Sequence, residues 1–65
     1  MRIDRIKLAV TAAQREMKFS EIAEKSGLSR NTVYLIKRGM SCSTAAAQKI
    51  ADALGVELET ILEKR

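Results

Sequence analysis

The chain has 65 residues, a formal net charge of +4 and a hydrophobic content of 46%. At this length it forms one domain at most, spanning residues 1–65, and folding buries only about 60% of the unfolded surface. One cysteine and no histidine exclude an intrachain disulfide and a Cys/His zinc site. No run approaches the ~20 apolar residues that a membrane-spanning helix needs.

The first predicted helix runs from about residue 3 to residue 15. Apolar residues recur in it at three- and four-residue spacing, which predicts a single core-facing stripe. The residues of that stripe are Ile3, Ile6, Val10 and Ala13. Leu8 falls roughly opposite the stripe, so it either covers the last helix or is exposed and meets a second subunit. We expect no signal peptide, because Met1 leads directly into the helical pattern.

The second predicted helix covers residues 19–26 and ends at Gly27, where a left-handed conformation favours glycine. Lys18 stands at its N-cap position, where serine or threonine is preferred. Ser20 is the alternative cap, and it would shorten the helix by a turn. We favour the longer helix, because Gly27 would otherwise end a very short one.

The third predicted helix runs from about residue 30 to residue 38, with Ser29 as its N-cap. Val33 and Ile36 are three residues apart and therefore face the core. The side chains on the opposite face are Arg30, Asn31, Tyr34, Lys37 and Arg38. The helix therefore presents a cationic, hydrogen-bonding surface that is braced from behind by apolar side chains.

Two further helices complete the predicted fold. The fourth covers residues 44–54 after a Ser43 cap, and the fifth covers about Glu57 to Lys64. Their predicted inward residues are Ala47, Ile50, Ala51 and Leu54 in the fourth helix, and Leu58, Ile61 and Leu62 in the fifth. No segment shows the alternation of a half-buried strand, so we predict an all-α fold of five helices.

Catalytic chemistry is not indicated anywhere in the chain. A nucleophile needs a neighbouring base and a third group that orients it, and the chain has no histidine. The serines are explained as helix caps or loop residues, and the acidic residues of the segment 52–63 match no calcium-loop spacing. We therefore expect no enzyme activity, no metal and no cofactor. A single cysteine fits a reducing, cytoplasmic setting.

Charge is distributed unevenly along the chain. Between Glu24 and Asp52 there is no acidic residue, whereas the segment 52–63 contains acids and no base. The cations of the acid-free interval are Lys25, Arg30, Lys37, Arg38 and Lys49. This pattern indicates either one surface that binds an anion or a solvated surface with chance clustering.

The third helix has the composition that a helix in the DNA major groove requires, where base edges offer hydrogen-bond acceptors, donors and methyl groups. Arg30 suits the two acceptors of guanine, and Asn31 suits adenine. Tyr34 and Leu35 suit a thymine methyl or the sugar-phosphate edge. Phosphate contacts fall to Lys37, Arg38 and the backbone amides of Gly39 to Ser41. Solvation or packing at the domain edge is the alternative explanation for each side chain.

The stretch 19–38 resembles the helix-turn-helix of the phage Cro and repressor family, also called the XRE family. The matching residues are Ile22-Ala23 in the first helix, Gly27 and Leu28 at the turn, Val33 and Ile36 in the second helix, and the continuation LIKRG. The distal KIADALGVELETIL, residues 49–62, is similar to the last two helices of that family. The resemblance covers nearly the whole chain from Met17 onwards.

The resemblance implies a compact five-helix, lambda-repressor-like DNA-binding domain, usually a dimer on operator DNA. The base-contacting residues implied are Arg30, Asn31, Tyr34 and Leu35, and the phosphate-contacting residues are Ser29, Thr32, Lys37, Arg38 and Ser41. Three positions depart from the family pattern. Phe19 replaces a frequent glutamine, Ser26 stands at a usually apolar position, and Cys42 replaces a common proline.

These observations together predict a sequence-specific double-stranded DNA-binding transcriptional regulator, repressor-like, cytoplasmic, and bacterial or phage-encoded. We expect no small-molecule effector, since the chain has no room for an effector domain. The predicted homodimer contact is the surface of Leu58, Ile61 and Leu62, or Leu8. An antitoxin or adaptor-type protein-interaction module is the alternative, and a chromosome-associated protein without sequence preference is a third possibility.

Overall fold

The computed structural model describes residues 1–63, and these residues form five helices. The helices are α1 Arg5–Gln14, α2 Phe19–Ser26, α3 Arg30–Lys37, α4 Thr44–Leu54 and α5 Leu58–Ile61. In this part of the chain the only extended pairing is one isolated antiparallel bridge. The predicted all-α, five-helix fold is confirmed.

The longer version of α2 is the correct one. Lys18 is the N-cap residue with extended backbone angles, and its amide donates to the Glu21 side chain at 3.3 Å. A carboxylate at this position also interacts favourably with the helix dipole, so it compensates for the missing serine or threonine cap. Gly27 ends the helix with a φ of +76°, the left-handed conformation that the turn to α3 requires.

The predicted core-facing stripe of α1 is wrong. Leu8 is 1% exposed, whereas Ile6 is 75% and Val10 is 49% exposed, and Ala13 is also exposed. The buried residues of the helix are Leu8, Thr11 and Ala12. Part of the error lies at the start of the helix. Asp4 is the N-cap, so Ile3 lies outside the helix and reaches the core from extended backbone instead of anchoring a helical stripe.

The four residues of α4 that were predicted to face inward are all buried in the core. Ala47, Ile50 and Ala51 have no exposed surface, and Leu54 is 2% exposed. Helix α4 packs against both α2 and α5. The two alanines on its inward face allow the helix backbones to approach closely, which suits a domain with few large apolar residues.

Helix α5 is shorter than predicted. It ends at Ile61, and Leu62 is extended and forms the antiparallel bridge with Ile3. The Asp4 amide donates to the Ile61 carbonyl at 2.8 Å, and the Glu63 amide donates to the Arg2 carbonyl at 3.1 Å. These non-local bonds replace the next helical turn. The predicted helix end at residue 64 lies outside the described residues.

Two of the predicted dimer contacts are wrong because their side chains belong to the protomer's own core. Leu8 is 1% exposed and Ile61 has no exposed surface. Leu58 is half-buried against that core, and Leu62 is half-buried. The apolar side chains left most exposed on the helices are instead Ile6 and Val10 of α1.

Candidate nucleic-acid interface

Helix α3 is fixed to the domain by its inward face. Val33 is 1% and Ile36 is 2% exposed, so both side chains anchor the helix to the core. Ser29 caps its first turn, with the hydroxyl accepting from the Thr32 amide at 3.1 Å. A cap and two buried anchors within eight residues give the helix a defined position, although it is too short to be stable alone.

The outward face of α3 carries the four predicted base-contacting residues. Arg30 and Asn31 are exposed, Tyr34 is 47% exposed and Leu35 is 38% exposed. Arg30 and Tyr34 lie one turn apart, as do Asn31 and Leu35, so the four side chains form two adjacent rows along a helix about 12 Å long. Their contact with bases stays a prediction.

Lys37 is held over two aromatic rings. Its Nζ lies 4.4 Å from the centroid of the Phe19 ring and 5.8 Å from that of the Tyr34 ring. Cation–π attraction of this kind contributes about 0.5–1 kcal/mol at exposed sites. Phe19, which departs from the family pattern, therefore connects the start of α2 to the end of α3. Sequence reasoning missed this contact because it joins residues of different helices.

Ser29 and Thr32 have one free hydroxyl proton between them. The two hydroxyl oxygens are 2.8 Å apart, and the Ser29 oxygen already accepts from the Thr32 amide. Whichever hydroxyl donates to the other, the second one keeps a proton that is free to donate outward. The pair can therefore provide one hydrogen bond to a phosphate oxygen at the start of α3, where the helix dipole also favours an anion.

The loop amides predicted to bind phosphate are partly used within the protein. The Gly39 amide donates to the Ile36 carbonyl at 3.0 Å, and the Met40 amide donates to the Leu35 carbonyl at 3.1 Å. The prediction is therefore wrong for these two amides, because they satisfy the carbonyls left free at the end of α3. Arg38 and Ser41 are exposed in the same region.

Cys42, the third departure from the family pattern, ties this loop to the start of the chain. Its amide donates to the Met1 carbonyl at 2.8 Å, and its side chain is half-buried. Burial raises the pKa of the Cys42 thiol, and the nearby N-terminal ammonium partly opposes that increase. The neutral thiol therefore behaves as a small packing residue.

A groove beside the end of α3 contains two cations that the sequence did not single out. Arg2, Arg5 and Arg38 line this open groove of about 400 Å³, together with Gly39, Asp4 and Glu63. We call it the arginine groove. Arg2 precedes α1 and Arg5 begins it. Both were missed because the sequence analysis assigned no binding role to this helix. Their only sequence signal was the presence of two arginines within the first five residues.

Residues 1–63 contain no group of three or more acidic, cysteine or histidine side chains placed to hold a metal ion. Within the same described range, no helix has both the length and the apolar character needed to cross a bilayer.

Comparison with known proteins gives one family match and several structural matches. The model of the Cro/C1-type HTH DNA-binding domain matches residues 7–64. No curated protein matches the chain.

Solved structures of an enzyme contain a similar helical unit. Native PhpD with cadmium matches at a TM-score of 0.83, PhpD with cadmium and hydroethylphosphonate at 0.82, and a variant of hydroxyethylphosphonate dioxygenase at 0.85. Each match is 30% identical and covers 98% of this chain, but only 14% of the longer chain. The likeness therefore concerns one small part of those proteins.

Proposed function

The chain belongs to the Cro/C1-type helix-turn-helix DNA-binding domain family, and from this we propose that it is a sequence-specific transcriptional regulator of the repressor type. The observation that carries the proposal is the uncovered outward face of α3. Arg30, Asn31 and Tyr34 are exposed there, while Val33 and Ile36 hold the helix from behind. A helix with this arrangement fits the major groove of B-form DNA.

Within this proposal, each exposed side chain has a role that follows from its chemistry. Arg30 donates to the O6 and N7 acceptors of a guanine, and Asn31 pairs its amide with an adenine. Tyr34 and Leu35 contact a thymine methyl group or a deoxyribose. These contacts specify the sequence, because each wrong base leaves a polar group unpaired or an apolar group poorly packed.

Phosphate contacts set the position of the helix in the groove. The free hydroxyl proton of the Ser29–Thr32 pair serves the start of α3, and Arg38 and Ser41 serve its end. Lys37 contributes positive charge from its position over the ring of Phe19. We propose that two copies bind together as a homodimer, with recognition helices about 34 Å apart. Sedimentation that shows only monomer on and off DNA would contradict the dimer.

The decisive experiment is selection of bound duplexes from a random pool, followed by binding of the selected duplex across a salt series. We expect an enriched sequence motif and an affinity that falls steeply as salt rises. Arg30→Ala is expected to cost about 1–3 kcal/mol and to relax specificity at one base position. Arg15→Ala is the control with the same charge change. Arg15 lies at the C-terminal end of α1, the end away from Arg5, and its guanidinium donates to the Gly55 carbonyl at 3.4 Å. No salt-dependent binding to any duplex would refute the proposal.

An antitoxin or adaptor that uses this fold to bind another protein is the second candidate. The observation behind it is that a unit 30% identical to this chain makes up 14% of an enzyme chain, so similar units also occur within proteins of other activity. This candidate predicts no measurable binding to duplex DNA at low salt. A chromosome-associated protein without sequence preference is distinguished by equal affinity for selected and random duplexes.

A further inference from the structure

We propose that the arginine groove is a second phosphate-binding site, which holds the sugar-phosphate backbone of the duplex beside the end of α3. This inference rests on the proposed DNA-binding function and extends the interface to the N-terminal segment. The first observation is convergence. Arg2 precedes the bridge residue Ile3, Arg5 begins α1 and Arg38 follows α3, yet all three line one open groove.

The groove is built before any ligand arrives. Ile3 is 2% exposed and anchors the N-terminal segment in the core. Backbone bonds hold that segment on both sides, from Cys42 to Met1 at 2.8 Å and from Glu63 to Arg2 at 3.1 Å. Because its backbone is already ordered, Arg2 loses only side-chain freedom when it binds a phosphate.

The Arg5 side chain lies against Gly39, where a positive φ favours glycine. A Cβ at position 39 would lie 3.4 Å from the Arg5 Cδ and 3.7 Å from its Nε, at a φ of +102°. The Cδ and Nε atoms of Arg5 therefore lie beside the turn that follows α3. Planar guanidinium groups bind phosphate oxygens with two parallel hydrogen bonds, which makes arginine well suited to this site.

The acids in the groove do not cancel its positive charge. The carboxylate of Asp4 accepts from the Ile6 amide at 2.9 Å and the Lys7 amide at 3.1 Å, so it is engaged as the cap of α1. Glu63 is the other acid of the groove. Three arginines against these two carboxylates leave an excess of one positive charge, and the Asp4 charge is partly compensated by the helix dipole.

The position of the groove favours DNA over a free anion. Arg38 directly follows α3, so the groove adjoins the end of the helix whose other residues are proposed to contact bases. Arg2 also lines a second open groove together with Ser41, a predicted phosphate contact. The two grooves therefore share Arg2 and bring it together with residues that follow α3, where contacts to the phosphate backbone would fix the position of that helix.

Binding of the selected duplex and of a random duplex across a salt series tests the inference. Removal of two phosphate contacts in Arg2→Ala/Arg5→Ala reduces the steepness of the log affinity against log salt plot by about 1.8. From 50 to 200 mM salt, the affinity of this variant then falls roughly tenfold less than that of the unchanged protein. Both duplexes show the same loss of steepness, and Arg15→Ala shows none. Glu63→Gln, which removes the opposing charge, strengthens binding to both.

Methylphosphonate substitution, which neutralises single phosphates, locates the contact. One neutralised phosphate outside the base-contacting region should weaken the unchanged protein but leave the double variant unaffected. An unchanged salt slope in the double variant, with the unchanged protein still binding DNA steeply, overturns the inference and leaves the proposed function standing. A lower melting temperature with that unchanged slope would assign the arginines to stabilising the end of α3. No steep binding by the unchanged protein refutes the proposed function itself.

Discussion

The orientation of α1 can be tested with two substitutions two residues apart. Leu8 is 1% exposed and Ile6 is 75% exposed, so Leu8→Ala removes core packing and Ile6→Ala removes mainly solvated surface. Truncation of a buried leucine costs about 2–5 kcal/mol, including the cavity that remains. Ile6→Ala should stay within about 0.5 kcal/mol of the unchanged protein. The superior helix propensity of alanine offsets part of even that small loss.

The expected loss is large relative to the total stability. At about 0.05–0.15 kcal/mol per residue, a 65-residue domain has roughly 3–10 kcal/mol to lose. Urea unfolding followed by far-ultraviolet circular dichroism measures the difference. With an m-value of about 1 kcal/mol/M, a loss of 2 kcal/mol lowers the midpoint by about 2 M. A Leu8→Ala chain without helical signal in buffer, beside a folded Ile6→Ala chain, gives the same answer.

The opposite ranking would refute the reasoning. If Ile6→Ala lost as much stability as Leu8→Ala, or more, α1 would present the stripe containing Ile6 and Val10 to the core. Leu8 would then be available to a second subunit. The pair of variants therefore decides the orientation of α1 and the availability of Leu8 for dimerisation in one comparison.

Three further outcomes follow from local geometry. Gly27→Ala is expected to lower the free energy of unfolding by about 1–2 kcal/mol from the left-handed backbone alone, since no atom outside the adjoining residues lies within 4 Å of the added Cβ. An unchanged urea midpoint would contradict this. Ser29→Ala should lower the free energy of unfolding by about 0.5–2 kcal/mol by removing the cap of α3, and a loss of only a few tenths of a kcal/mol in thermal unfolding would show that the cap contributes little. A double-mutant cycle of Phe19→Leu and Lys37→Met should give a coupling of about 0.5–1 kcal/mol in the free energy of unfolding. Strictly additive losses would show that the cation–π contact adds nothing to stability.

The middle of the fold is predictable because its signals are local. Ser29 and Ser43 each accept from an amide three residues on, as a helix cap does. Gly27 and Gly55 each adopt the left-handed conformation that ends a helix. Caps and stops of this kind act within one turn, so the sequence alone defines α2, α3 and α4 closely.

The orientation of α1 was not predictable from periodicity, because the stripe with more large apolar residues faces outward. Ile6 and Val10 are bulkier than Thr11 and Ala12, which lie in the core. The room between α1 and the rest of the domain determines which face is buried. The small residues Thr11 and Ala12 permit a close approach of the helix, and Leu8 is the one large side chain of α1 in the core. A hydrophobic pattern records which residues are apolar and carries no information about the room available to them.

The outward face of α3 was predictable from the sequence, but the hydrogen bonds made by the backbone amides that follow the helix were not. Exposure of Arg30, Asn31 and Tyr34 follows from helical spacing once Val33 and Ile36 are assigned to the core. By contrast, the amides at the end of the helix are consumed by the helix itself. Competition of this kind between a ligand and the protein's own carbonyls becomes visible only when the turn geometry is known.

The early end of α5 and the arginine groove have a common cause. Pairing of Ile3 with Leu62 satisfies backbone groups that would otherwise continue the helix, and it holds Arg2 beside the loop that follows α3. This contact joins residues at opposite ends of the sequence, so no local pattern records it. It also means that the surface proposed to hold DNA is assembled from three separate segments. Loss of the Ile3–Leu62 bridge would therefore leave the residues of α2 and α3 unchanged, but it would remove the backbone contact that holds Arg2 beside Arg38.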